Sequence, residues 1–251
     1  MRPQGWWHSL LDLVFPSTCG GCGRLDWRLC SDCRRQVKSV ADPYCPQCGR
    51  STVSDLVTGE CCTICGSHPL GLDGLRAAVN FEGALRKAIH AFKYRGRRDL
   101  AAELAALMVE SWNWRSYPID VVVPVPLHPG RMALRGYNQA TVLAEAFGCR
   151  VGIPIVPGKL VRDRDTVPQT RLAAVDRRTN VAGAFSVPPV ERPFGKSVLL
   201  VDDVYTTGST LRECGMALRT GGAKRGHDVG PRCVESTFRT DGRRANRAGM
   251  T

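Results

Sequence analysis

The stretch VLLVDDVYTTGST, residues 198–210, constrains the fold more than any other part of the chain. Val198, Leu199, Leu200 and Val201 are apolar without a break. A strand with one wet face alternates, whereas a strand that is apolar at every position is buried on both faces, the situation of a parallel sheet covered by helices on each side. This run leads straight into two adjacent carboxylates, Asp202 and Asp203. Thr206, Thr207, Gly208, Ser209 and Thr210 follow, where a loop winds into a helix N-terminus. Free N–H groups and the positive end of the helix dipole favour a phosphate there, hydroxyls add donors, and Gly208 lets the backbone approach closely. Two carboxylates oppose a bare phosphate, but they accept hydrogen bonds from a vicinal diol. A ligand in which phosphate is joined to such a diol, as in a ribose 5-phosphate, suits both halves. The plainer alternative is a strand–turn–helix with an Asp-Thr cap.

The rest of the chain agrees with an α/β, doubly wound parallel sheet. IDVVVPVPL, 119–127, reads as a second buried strand and IPIV, 153–156, as a short third. Between the strands, Leu85, Ile89 and Phe92 form one helical face, and Leu100, Leu104, Leu107 and Met108 form another, with Asp99 as the N-cap of the latter. Helices are also expected at 138–147 and 209–220, the second carrying Leu211, Gly215 and Leu218 on one side and stopped by Gly221 and Gly222. Residues 157–195 read as Arg- and Pro-rich connectors. In such sheets ligands bind at the carboxyl ends of the strands, and loops 124–131 and 202–210 both follow strand ends.

Ahead of this lies a different kind of segment. Residues 19–65 are rich in Cys, Gly, Pro and Asp and lack long apolar runs, so they cannot build a core alone. Eight of the twelve cysteines form C-x-x-C pairs: Cys19/Cys22, Cys30/Cys33, Cys45/Cys48 and Cys62/Cys65. That spacing lets one turn present two thiolates to a tetrahedral zinc ion, and four thiolates close the coordination sphere, which makes the sites structural. We assign Cys19, Cys22, Cys30 and Cys33 to one zinc and Cys45, Cys48, Cys62 and Cys65 to a second. Cys61 is a spare beside Cys62, and an interleaved pairing is the alternative.

Metal-bound thiols imply a reducing, cytoplasmic setting. WWHSLLDLVF, 6–15, has helical spacing but neither the length of a membrane span nor a cleavage site behind it. The formal charge of +12 points to anionic partners, phosphorylated metabolites or nucleic acid, against the bland alternative of surplus surface arginine.

The motif VLLVDDVYTTGST resembles the phosphoribosyl-pyrophosphate (PRPP) motif of type I phosphoribosyltransferases. DVVVPVPLHPGRMALRGYNQA (120–140), RDRDTVPQTRL (162–172) and RRTNVAGAF (177–185) resemble the ComF family, which joins a double zinc ribbon to a phosphoribosyltransferase-like domain. That family includes proteins linked to DNA uptake in competent bacteria. The resemblance covers about residues 10–222. It implies that Asp202 and Asp203 hold the ribose hydroxyls, as the catalytic pair of a glycosyl transfer, and that Thr206, Thr207, Gly208, Ser209 and Thr210 hold the 5-phosphate. It implies Mg²⁺ bound with PRPP, and single-stranded DNA and competence-machinery proteins as further partners.

Other residues are weighed beside it. Arg131, in the loop after the strand at 119–127, is positioned to meet pyrophosphate, and His128 reads as an ordinary loop histidine. Arg135 and Asn138 are assigned to a ligand or partner, with a solvated arginine and a helix cap as the alternatives. Lys93 heads a basic cluster with Arg95, Arg97 and Arg98 that neutralises pyrophosphate, lines a nucleic-acid path or forms a solvated face. Gln169, Arg177 and Asn180 fall in a connector suited to a lid. Three segments result: helix and ribbon at 1–75, the phosphoribosyltransferase-like domain at 76–222, and a basic tail at 223–251. From 224 the tail has seven Lys/Arg against three Asp/Glu and no apolar run, so it is expected to stay out of the sheet, as a disordered or aberrant end.

Overall fold

The computed structural model describes residues 18–25, 28–40, 43–49, 61–67, 72–111, 118–164, 180–191, 195–205, 208–223 and 234–239. The helix expected at 6–15 lies outside them, as do Gln169, Arg177, Thr206 and Thr207. Two short helices, α1 (Ser31–Arg35) and α2 (Thr63–Ser67), each carry one cysteine of a C-x-x-C pair. Then come β1 (Arg76–Asn80), α3 (Gly83–Tyr94), α4 (Ala101–Ser111), β2 (Val121–Pro124), α5 (Pro129–Arg135) and α6 (Gln139–Val151). A small antiparallel pair follows, β3 (Val161–Arg162) with β4 (Phe185–Ser186). The chain continues through β5 (Val198–Tyr205), α7 (Ser209–Thr220) and β6 (Val234–Arg239).

The main sheet has the order β1-β6-β5-β2, and every pairing in it is parallel. Strand β5 is buried on both faces, as its sequence demands. Leu199 and Val201 join the core formed with α3, α4 and α6, while Val198 and Leu200 join the core of α7, Leu160 and Phe185. At about 1.5–3 kcal/mol for each buried Val or Leu, this strand is a principal anchor of the domain. Helix α3 buries Leu85, Ile89 and Phe92, the spacing that predicts it. Helix α7 lies so close to residue 72 that a Cβ on Gly215 would stand 2.2 Å from Leu72 Cδ2.

Three local expectations need correction, and one strand is not announced by the sequence. Asp99 is not an N-cap: a 3₁₀ turn, Arg98–Leu100, leads into α4, and the Asp99 carboxylate holds Arg97 at 2.7 Å. The stretch 153–156 makes only one parallel bridge, Ile155 to Val122, beside β2. The connector 157–195 contains β3 and β4. Strand β1 has the modest sequence RAAVN, which carries no alternation to announce it.

The largest correction concerns the end of the chain. Residues 234–239, expected in a tail outside the sheet, form β6, an interior strand between β1 and β5. VESTFR is too polar to read as a buried strand, yet Val, Thr and Phe favour extended backbone. Pairing on both sides satisfies backbone groups of three strands at once, which composition does not reveal. The free edge of β1 is covered from the cysteine-rich segment: Ser39 bridges Val79, and Asn80 N–H donates to Lys38 O at 2.9 Å.

Candidate functional site

The acid pair sits inside β5, not beyond its end, because the strand runs on to Tyr205. Regular alternation would send neighbouring side chains to opposite faces. Here the register between β5 and β6 slips: Val201 pairs with Ser236 and Val204 with Phe238, so the extra residue of a bulge falls at Asp202–Asp203. Bulges re-aim side chains, and this one lies at the carboxyl edge of the sheet. Asp202 folds back to accept the Asp203 N–H at 2.8 Å. Asp203 is buried, at 7% exposure, and pairs with Lys93 Nζ at 3.0 Å. Asp202 retains some surface, but the protein atoms around it strip its carboxyl of solvent. That desolvation, together with the Asp203 charge, pushes its pKa up to about 7, against the pull of Lys93. The pair carries more negative charge than its surroundings neutralise, so it favours a cation or hydroxyl donors.

Past the acids the backbone turns into α7. Gly208 takes φ 74°, the left-handed conformation that glycine adopts freely, and α7 starts at Ser209. Ser209 is buried and Thr210 partly so. The first turn thus directs N–H groups toward the same edge as the carboxylates, an arrangement that suits a phosphate.

Facing them is the turn after β2, which pairs with β5 through Pro124 and Val201. His128 caps α5, its Nδ1 accepting Gly130 N–H at 3.2 Å, so the ordinary reading of that histidine holds. Arg131 stands in the first turn of α5 and Arg135 in its last, the latter 5.1 Å over the Tyr94 ring. Asn138 proves to be a brace. Its Oδ1 accepts Ala140 N–H at 3.0 Å and its Nδ2 donates to Val125 O at 2.9 Å, so both ends of the amide are used within the fold. These bonds match the helix-cap alternative for Asn138.

The basic cluster disperses into separate tasks. Lys93 reaches Asp203; Arg97 holds Asp99 and donates to Thr18 O at 2.9 Å; Arg98 donates to Gly136 O at 2.8 Å and covers the Tyr137 ring at 4.4 Å; Arg95 is exposed. Lys93 is therefore brought to the acid pair, together with the N-terminus of α7 and the turn after β2. Arg98 of that cluster shares this neighbourhood with Tyr94 and Tyr137, two rings to which the sequence assigns no site role. The RGYNQ stretch, placed directly after the Arg131 loop, was the signal that could have marked Tyr137. Asn180 lends its carbonyl to Arg164 at 3.4 Å.

The cysteines group as expected from spacing. Cys19, Cys22, Cys30 and Cys33 form one cluster, and Cys45, Cys48, Cys62 and Cys65 another, with all sulfurs of each within 4.8 Å of one another. Cys22 and Cys30 sulfurs are 3.7 Å apart, and those of Cys48 and Cys62 3.8 Å. A disulfide needs about 2.05 Å. A tetrahedron of sulfurs around zinc at about 2.3 Å has edges of about 3.8 Å, so the residues fit that ion. Burial works against the Cys19 and Cys45 thiolates, but backbone N–H groups outweigh it and hold them at about 6 and about 7. Cys61 stays outside the second set.

Both clusters are docked on the sheet domain. Arg34 reaches Glu103 at 3.0 Å, and a Cβ on Gly20 would meet Leu100 at 2.9 Å. From the second cluster, Cys48 O accepts the Tyr205 hydroxyl at 3.0 Å, and Pro46 O accepts from Arg76 at 2.9 Å. Tyr205 closes the strand that bears the acid pair. Among the described residues, no helix is long and apolar enough to cross a membrane.

Comparisons with known proteins follow the same division. The double zinc ribbon domain model matches residues 10–66, and the phosphoribosyl transferase domain model matches residues 100–236. Competence protein F of Haemophilus influenzae is 34% identical over 198 residues, 76% of this chain and 84% of that protein. DNA utilization protein YhgH of Salmonella typhimurium is 31% identical over 221 residues, 84% of this chain and 94% of that protein. Among solved structures, the B. subtilis glutamine phosphoribosylpyrophosphate amidotransferase is 22% identical, with a TM-score of 0.36, covering 58% of this chain and 30% of that one.

Proposed function

Given that this chain belongs to the ComF family, in which a double zinc ribbon precedes a phosphoribosyltransferase domain, we propose that it binds PRPP at the carboxyl edge of β5. The observation that supports this best is the bulged acid pair near the end of β5, followed in the chain by a left-handed glycine at a helix N-terminus. Asp202 and Asp203 accept the two ribose hydroxyls. The turn of Thr206, Thr207, Gly208, Ser209 and Thr210 takes the 5-phosphate. Pyrophosphate extends toward the turn after β2, where Arg131 and Arg135 stand, and Lys93 balances charge from beneath. Mg²⁺ bound with the pyrophosphate would offset part of its charge beside these residues. For transfer, a nitrogen nucleophile attacks the anomeric carbon, and the bond to pyrophosphate breaks with its electron pair leaving on oxygen. Positioning and charge stabilisation of an oxocarbenium-like state supply the rate. We take the domain to begin near residue 76 and to include β6, with zinc in each Cys₄ cluster as the structural metal.

Titration of the protein with Mg²⁺–PRPP tests the reading. Asp202→Asn with Asp203→Asn abolishes binding while leaving a folded domain; an unchanged affinity rejects it. A pyrophosphate-release assay with candidate acceptors then reports turnover.

A second reading draws on what the relatives are called, a competence protein and a DNA utilization protein. With a formal charge of +12, the chain is suited to handle single-stranded DNA, in the cytoplasm and beside other proteins of an uptake machinery. The two readings are compatible if the phosphoribosyl site governs the DNA-handling surface, and competition between PRPP and a labelled oligonucleotide would show it.

A further inference from the structure

Tyr137 lies between α5 and α6, directly before the Asn138 that bonds Val125 O in the turn after β2. Its side chain is 4% exposed. Phe92 meets its ring edge-on at 5.9 Å, and the Arg98 guanidinium covers the ring at 4.4 Å while donating to Gly136 O at 2.8 Å. The ring is thus fixed by two neighbours. Its hydroxyl nevertheless finds no hydrogen-bond partner among the described residues. Buried hydroxyls are nearly always satisfied, and one left alone destabilises the fold. Phenylalanine would fill the same space without that penalty, so the hydroxyl implies a partner other than the described residues.

Its surroundings indicate what that partner is. Gln139, two residues on, donates to Lys93 O at 3.5 Å, and Lys93 holds Asp203 at 3.0 Å. The Tyr137 hydroxyl is made less acidic, first by burial; Arg98 and Arg135 work the other way, and Asp203 and Asp99 add to the rise. The hydroxyl therefore shares the electrostatic field of the acid pair and of two arginines. It also follows α5 directly, the helix that carries Arg131 and Arg135. A donor flanked by two guanidinium groups suits an anionic oxygen.

We propose that the Tyr137 hydroxyl donates a hydrogen bond to an anionic oxygen of the bound phosphoribosyl ligand, on its pyrophosphate side, with Arg98 and Arg135 as flanking cations. The proposal rests on the PRPP reading above and adds a contact to it.

Tyr137→Phe in the full zinc-loaded chain gives the test, read by titration with Mg²⁺–PRPP, pyrophosphate and ribose 5-phosphate and by melting without ligand. A hydroxyl that no protein group uses can be removed with the ligand-free melting temperature unchanged or raised. Affinity for PRPP and pyrophosphate should fall about tenfold or more, the worth of a hydrogen bond to a charged group, while ribose 5-phosphate changes by less than about twofold. A lowered melting temperature with unchanged PRPP affinity would mean that the hydroxyl serves the fold, and would overturn the proposal. So would no change in either measurement. The Asp202→Asn/Asp203→Asn protein, run in parallel, separates the two levels. If it loses PRPP and Tyr137→Phe does not, only the Tyr137 contact fails. If the unaltered protein binds no PRPP, the contact and the reading beneath it both fail.

Discussion

Asp202 is where the fold and the proposed ligand make opposite demands on one residue. Its carboxyl is raised to about 7, first by desolvation and then by Asp203. In an unfolded chain the same group ionises near 3.9. The folded state therefore keeps a proton that the unfolded state gives up, so this carboxyl favours folding at acid pH and ceases to do so as pH rises through 7. Asp202→Asn should accordingly raise the ligand-free melting temperature at pH 8, which differential scanning calorimetry would report; a fall would show that the ionised side chain supports the fold. Binding follows the other sign. Sugar hydroxyls donate to a carboxylate, so PRPP affinity should climb as pH rises toward 7 and level off above it, changing at most about tenfold per unit. Pyrophosphate titrates in the same range, so the comparison to make is with Asp202→Asn, whose profile should be flatter. Asn138 is the contrasting case. Asn138→Ala loses a helix cap and the brace on Val125 O, and should cost about 1–3 kcal/mol in denaturant unfolding. Both residues stand out in the sequence, but their tasks do not. Asp202 lies in a recognisable motif, while the two bonds of Asn138 exist only once β2 and α6 have met.

Among the elements, the sequence announces those whose own residues supply the burial. Strand β5 and helices α3, α6 and α7 are readable because the apolar spacing of each matches one period. Strand β6 is not, because its reason for existing lies in its neighbours: β1 and β5 each present backbone groups that VESTFR pairs. The β5 bulge is invisible for the same reason, being a property of register between two strands and not of either one. This makes the C-terminal region a sharp test. A chain ending at 223 loses an interior strand and leaves two unpaired edges, which should remove a large share of the roughly 5–15 kcal/mol that holds a domain folded. Such a protein should be insoluble or melt far below the full chain, whereas one ending after Arg239 keeps every described pairing of the sheet. If truncation at 223 left the melting temperature unchanged, β6 would have no part in the stable sheet, and the site would have to do without the bulge that aims its carboxylates.

At the scale of the whole molecule, the question is whether the cysteine-rich segment is an appendage or part of the site. Its metal sets were readable from C-x-x-C spacing, but its docking was not, since Tyr205 and Cys48 are far apart in the chain. The first cluster packs on α3 and α4, through Cys33 and Leu29 in the same core as Leu85 and Phe92. The second holds the end of β5 and the side chain of Arg76. Zinc supplies the folding energy of such clusters, so chelation should lower the melting temperature of the whole chain in one transition, not release a ribbon from an unaffected domain. Elemental analysis of the purified protein should first give about two zinc ions per chain. The clusters then differ in what they affect. Loss of the second, by Cys45→Ser with Cys48→Ser, disturbs the Cys48 O contact to the Tyr205 hydroxyl, three residues beyond Asp202, and should weaken PRPP binding in molecules that remain folded. Loss of the first, by Cys19→Ser with Cys22→Ser, removes support from helices behind the sheet and should act on stability more than on affinity. Titrations of the two variants at a temperature where both stay folded would distinguish them. Equal affinities would mean that the Tyr205–Cys48 contact fastens the ribbon to the sheet without shaping the site.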